Sequence, residues 1–193
     1  MGPDERGAAP DKAALRTELL ATRRARSPEE LTRARAAVRE HVLEHVVGVA
    51  RVAAYEPMRT EPGSSELLAA LHAQGVTVLV PVTLPDSDLD WTEWSPAGPG
   101  APLGVDAIGG VELVIAPALA VARDGTRLGR GGASYDRALA RCAADTVLAA
   151  LVFDDEVLDK LPRDDWDVPV QAAITPGGGW LGLAGNTDMR FLR

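Results

Sequence analysis

Residues 127–137 read RLGRGGASYDR. Three glycines (Gly129, Gly131, Gly132) surround Arg130, with Arg127 and Arg137 at the ends and a Tyr135–Asp136 pair before the last arginine. Glycines ahead of a helix let the main chain turn sharply and approach a ligand without a Cβ in the way. The first N–H groups of a helix have no internal partners and attract anions. Arg130 adds a planar donor fork that matches phosphate oxygens, and Asp136, in the first helical turn, suits both the helix dipole and a Mg²⁺ beside phosphates. A glycine-rich turn with Asp136 merely starting the helix explains the same letters, and spacing alone leaves the two readings level. The stretch is neither a Walker loop nor G-x-G-x-x-G, and no acidic residue follows about 20 positions on, where a dinucleotide fold places one.

The surrounding elements are legible from periodicity. Asp11 caps a helix carrying Leu15, Leu19 and Leu20 on one side. RSPEEL restarts a second helix with Ser27 as N-cap, Pro28 at the first position and Glu30 completing a capping box. It is expected to run to about Val47, with Leu31, Ala34, Val38, Val42 and Val46 on one face. Strands are expected at 49–55, 76–81, 111–121, 146–153 and 170–174, and helices at 63–75 and 134–144, with a tight turn at 123–125. The 29 residues from 82 to 110 are too many for a bare loop and predict a hairpin or a wall of the site, with a strand at 88–94 anchored by Trp91 and Trp94. Apolar strands alternating with helices predict an α/β fold, a three-layer arrangement of a mostly parallel sheet with helices on both faces. Residues 1–10 lack periodicity and are expected to be a disordered tail ahead of one domain spanning 11–193.

Bulk properties narrow the function. The chain has 193 residues, 46% of them apolar, and a net charge of −8. That charge argues against nucleic acid as a partner, while a small site can still be locally positive. With no apolar run near ~20 residues and no secretory leader, no membrane partner and a cytoplasmic location are expected. A single cysteine, Cys142, excludes an internal disulfide and reads as a buried structural thiol. His41 and His45 share a helix face but lack a third ligand for a metal.

Four blocks in order resemble the 5-formyltetrahydrofolate cyclo-ligase (methenyltetrahydrofolate synthetase) family. RLGRGGASYDR is similar to its signature R-L-G-x-G-x-G-Y-Y-D-R. KAALRTELLATRRA resembles its opening helix, AAYEPMRTEPGSSELL a strand end with a folate-contacting glutamate, VIAPALAVARDGTRLG the approach to the signature, and LPRDDWDVPVQAAIT the segment holding its His-Asp pair. The resemblance implies a NagB/RpiA/CoA-transferase-like α/β fold. It also implies conversion of 5-formyltetrahydrofolate and ATP to 5,10-methenyltetrahydrofolate, ADP and phosphate, with Mg²⁺. The expected partners are these small molecules only, with the chain acting as a monomer.

Residue by residue, the resemblance implies ATP contacts from Lys12, Arg16 and the run Arg127, Leu128, Gly129, Arg130, Gly131, Gly132, Ala133, Ser134 and Tyr135. Lys12 and Arg16, at i and i+4, share one helix face; unaided, they pass for a solvated surface. Glu61 would bind the pterin, since a carboxylate accepts paired N–H bonds. Glu56 would line the folate's path, with Arg130, Gly131, Gly132, Ala133 and Ser134 also meeting substrate. Arg130 and Tyr135 would be catalytic, and Asp136 and Asp167 would hold Mg²⁺. Ala133 stands where the family has its third glycine, Ser134 for a tyrosine, Trp166 for the histidine before Asp167, Gln171 for an aspartate and Val121 for a phenylalanine; no Pro-Glu-Pro-like element is found. The alternatives are a non-catalytic folate- or nucleotide-binding paralogue and a sugar-phosphate or CoA-related enzyme on the same fold.

Overall fold

The computed structural model describes residues 11–183, so the expected tail at 1–10 lies outside the described residues. Helix α1 (Lys12–Ala25) starts on Asp11, whose side chain accepts from the Ala13 N–H. Helix α2 (Pro28–His45) opens with both halves of the capping box: Ser27 Oγ accepts from Glu30 N at 3.2 Å and Glu30 Oε2 from Ser27 N at 2.7 Å. It stops two residues short of Val47, and Val46 instead caps it and stays buried.

Strand β1 (Arg51–Ala53), helix α3 (Ser65–Ala73), β2 (Thr77–Thr83) and β3 (Leu89–Glu93) follow. The expected hairpin forms: β3 runs antiparallel to β2, with Pro81 opposite the buried Trp91. A short 3₁₀ turn (Val105–Gly110) leads to β4 (Leu113–Pro117). The single strand expected at 111–121 divides here. After Pro117 the chain leaves the sheet, and β5 (Ala120–Ala122) starts a second sheet with β6 (Arg127–Leu128) and β8 (Val157–Leu158). Helix α4 (Ser134–Leu139) is shorter than the expected 134–144. Strands β7 (Val147–Leu151), β9 (Ala172–Thr175) and β10 (Gly179–Gly182) complete the main sheet.

Its order is β10-β9-β7-β4-β1-β2-β3. The five inner strands pair in parallel and only the two edges are antiparallel. Alternation along each strand sends side chains to two separate cores. Val52, Val78, Leu113, Ile115 and Ile174 pack on one face under α2 and α3, with Val38, Val42, Leu68 and Leu71. Ala53, Leu79, Val114, Ala150 and Ala173 pack on the other, against Ile108, Val121, Ala138 and Leu139. Helices therefore cover both faces, as the apolar strands predict. Helix α1 lies apart, its Leu19 packed on Leu119 and on Ala120 and Leu128 of the small sheet. The second sheet thus links α1 to the glycine loop. No described helix is long and apolar enough to cross a membrane.

Candidate active site

The carboxyl ends of β1, β2 and β4 open onto a cavity of about 660 Å³, the usual place for ligands in an open parallel sheet. Pro81 shows how the strands make room. Strand β1 pairs with β2 only as far as Leu79, so the side of β2 that Pro81 leaves without an N–H borders the cavity rather than another strand.

The glycine loop forms one wall. At the preceding turn Gly125 has φ +87°, and a Cβ there would stand 2.4 Å from the Val170 carbonyl oxygen. Gly131 and Gly132 have φ near +100° and +99°. Ala133 follows at φ 56°, ψ 11°, left-handed and bearing a methyl group, a conformation that costs on the order of 1 kcal/mol for an L-residue. Among the described residues, none of the main-chain N–H groups of Gly131, Gly132, Ala133, Ser134 and Tyr135 donates to another group. With α4 only six residues long, these amides and the nearby cations, more than a macrodipole, make the loop attractive to anions.

Every expected site residue lines this cavity: Lys12, Arg16, Glu56, Glu61, the run from Arg127 to Tyr135, Asp136 and Asp167. Charges from distant parts of the chain meet in pairs. Lys12 Nζ donates to Asp164 Oδ2 at 2.6 Å and Asp167 Oδ2 at 2.7 Å. Desolvation opposes the Lys12 charge, but these two carboxylates outweigh it and raise its pKa. Desolvation likewise works against the Asp167 carboxylate, and Lys12 with the Asp164 amide outweighs it and lowers its pKa. Arg16 Nε donates to the Gly129 carbonyl at 2.9 Å, tying α1 to the loop. Arg127 donates to Asp136 Oδ1 at 2.8 Å, and the same oxygen accepts from the Val168 amide at 3.3 Å. Arg130 reaches Glu61 Oε1 at 3.4 Å, while Glu61 Oε2 accepts from the Met58 amide at 2.8 Å.

Among the described residues no group of three or more His, Cys, Asp or Glu side chains could hold a metal alone. Asp136 Oδ1 and Asp167 Oδ2 already serve protein donors, and the second oxygen of each carboxylate has no hydrogen-bond partner among the described residues. Two such oxygens on one cavity fit a Mg²⁺ that keeps several waters and shares phosphate oxygens. The Tyr135 hydroxyl is buried and unpartnered among the described residues. Burial pushes its pKa well up, against the pull of Arg127, so the hydroxyl keeps its proton and remains a hydrogen-bond donor.

Several lining residues were missed from the sequence. Tyr55 and Met58 carry no local signature of a site and arrive through the topology, whereas Thr83 and Leu89 belong to the 82–110 connection, which does border the cavity. Asp164 could have been found, because the acidic cluster RDDWD announces charge; Trp166, which stands where the family has a histidine, borders the cavity and is 67% exposed. Away from the site, partial burial pushes the Cys142 thiol up to about 11, in line with a structural role. His41 and His45 meet Pro176 and Trp180: His41 Nε2 lies 3.1 Å from the Pro176 carbonyl, and the His45 ring stacks on Trp180 at 5.1 Å.

Known proteins share this fold and much of this sequence. The solved structure of a 5,10-methenyltetrahydrofolate synthetase from Aquifex aeolicus superposes with TM-score 0.76 at 24% identity, covering 92% of this chain and 95% of that one. A Mycoplasma pneumoniae 5,10-methenyltetrahydrofolate synthetase gives 0.73 at 20% identity, over 85% of this chain and 98% of the other. At such identities these two speak for the fold. A Mycolicibacterium smegmatis 5-formyltetrahydrofolate cyclo-ligase is 37% identical, over 89% of this chain and 97% of its own length. The mouse protein of that name is 28% identical over 84% and 92%. The sequence model of the 5-formyltetrahydrofolate cyclo-ligase family matches residues 8–176, from before α1 through β9 and so across every cavity-lining segment, and the chain belongs to that family.

Proposed function

We propose that this chain closes 5-formyltetrahydrofolate to 5,10-methenyltetrahydrofolate at the expense of ATP, releasing ADP and phosphate. One observation carries the reading. Lys12 and Arg16 on α1, Glu61 beyond β1 and the open amides of the glycine loop come from three separate regions and line one cavity. It therefore offers donors for a triphosphate and an acceptor for a pterin within the same walls.

An amide oxygen is a very poor leaving group, which is why ATP is required. The formyl oxygen attacks the γ-phosphorus, the bond to the ADP oxygen breaks, and a phosphorylated imidate forms. N10 then adds to the formyl carbon and loses its proton, and phosphate departs with the former formyl oxygen as the ring closes. The protein's part is positioning and charge stabilisation. In this reading Lys12, Arg16 and the amides from Gly131 to Tyr135 hold the phosphates, and Arg130 meets the charge on the transferring group. Glu61 accepts the pterin's N–H groups, Glu56 lines the folate's path, and the Tyr135 hydroxyl donates to the substrate. Mg²⁺, held by Asp136, Asp167 and water, would neutralise the phosphate oxygens. Lys12 and Arg127 now rest on those same carboxylates, so ligand binding exchanges one set of ion pairs for another.

A non-catalytic binding role is the second reading, and the left-handed Ala133 in place of a glycine is what favours it. A single assay decides. Purified protein with 5-formyltetrahydrofolate, ATP and Mg²⁺ is expected to develop methenyl absorbance in step with ADP release. Binding of both ligands without that product would establish the second reading instead.

A further inference from the structure

Arg23 lies behind the cavity wall and is 1% exposed. A guanidinium is stable at such depth only when its donors are matched. Nε and NH2 grip the two oxygens of Glu156, each at 2.7 Å, and NH2 also donates to the Ala118 carbonyl at 2.6 Å. Glu156 is held in turn by the Phe153 amide at 2.8 Å. The third nitrogen, NH1, faces Glu61 Oε1 at 4.0 Å.

Glu61 thus presents one oxygen to two cations of different character. Arg130 is 39% exposed along its side chain and rides on a loop of residues with positive φ. Arg23 is buried and pinned at three points. In the proposed reaction Arg130 must turn to the phosphoryl group. Without a second cation that would leave Glu61, itself 5% exposed, as a lone buried carboxylate. We propose that Arg23 is a positioning residue: the fixed counter-cation that holds the Glu61 carboxylate in the cavity wall for the folate and lets Arg130 leave it. This rests on reading Glu61 as the pterin acceptor, and it assigns Arg23 a task beyond its pairing with Glu156.

The test measures binding of 5-formyltetrahydrofolate and of ATP, separately, by titration calorimetry. Arg23→Met/Glu156→Met removes the buried pair as a whole and leaves neither charge stranded. It is expected to weaken folate binding about tenfold while ATP affinity stays within about twofold. Glu156→Gln disturbs the same network but keeps the Arg23 cation beside Glu61, and folate affinity is expected to hold. Wild-type folate affinity in the folded double variant overturns the proposal, as does equal loss of both ligands or the same folate loss in Glu156→Gln. If the double variant does not fold, Arg23→Lys decides, because a point charge cannot span Glu156, Ala118 and Glu61 together. A tenfold folate loss there supports the assignment, and wild-type affinity removes it. Wild-type protein that binds ATP but no folate would instead overturn the reading of Glu61 and this proposal with it.

Discussion

The inner wall of the cavity and its rim are both built from ion pairs, and they differ in kind. Behind the wall, Arg23 and Glu156 are each 1% exposed and joined bidentately. At the rim, Lys12 is 18% exposed and lies between Asp164, 43% exposed, and Asp167, 10% exposed. A buried pair is costly to break, because whichever partner remains is stranded in low dielectric. The Lys12–Asp164 contact, partly open to solvent, is screened and costs less to give up. The contrast separates a buried pair that holds shape from a more open one whose partners are easier to change.

Breaking the inner pair on one side is the severest perturbation. Arg23→Met alone, which strands Glu156, is expected to cost about 3–5 kcal/mol in urea unfolding; a loss below about 1 kcal/mol would show that the inner wall is no firmer than the rim. Removing the exchangeable cation should do the opposite, harming turnover and sparing the fold. Arg130→Ala is expected to lower turnover about a hundredfold, with the melting temperature within about 2 °C of wild type. Near-normal turnover would exclude Arg130 from the phosphoryl site. The loop between these regions offers a smaller test. Ala133→Gly relieves the left-handed alanine and is expected to add about 0.5–1 kcal/mol of stability; destabilisation would mean that the methyl group contributes packing that outweighs the strain.

The smallest effect is a matter of pH at a pair whose carboxylate lies in the β2–β3 connection, one residue before the cavity-lining Leu89. Arg141 donates to both oxygens of Asp88 at 2.9 and 2.6 Å, and these bonds hold the Asp88 carboxyl down at about 2, below its usual 3.8. A carboxyl depressed on folding stabilises the native state above its unfolded pKa, and that contribution disappears as pH falls through the folded value. The melting-temperature gap between wild type and Asp88→Asn should therefore be full above about pH 4 and close towards about pH 2. A gap unchanged down to pH 2 would show that Asp88 acts through something other than its charge.

Much of the scaffold was legible because its causes are local. The Ser27–Glu30 capping box, the turn at Gly125 and the alternation of apolar strands with helices each lie within a few residues of chain, and each appears where expected. The misjudged elements depend on distant partners. The apolar run 111–121 looks continuous, yet it divides because β5 finds β6 and β8 rather than extending its pairing with β7. Helix α4 ends early, with Arg141 turned back onto Asp88 in the β2–β3 connection. The site residues were named through resemblance to a family, while their present ion partners were not foreseen. Arg23 and Glu156 stand 133 positions apart, and Lys12 and Asp167 are separated by 155.

By itself the sequence determined which backbone stretches turn, cap and pair, and which side chains carry donors or acceptors, since φ preferences and apolar period act over a turn or a strand. Only the tertiary structure decided which charges meet and how deeply each pair is buried. Burial sets the local dielectric, and a guanidinium facing a carboxylate is a rigid support in one setting and an exchangeable contact in another.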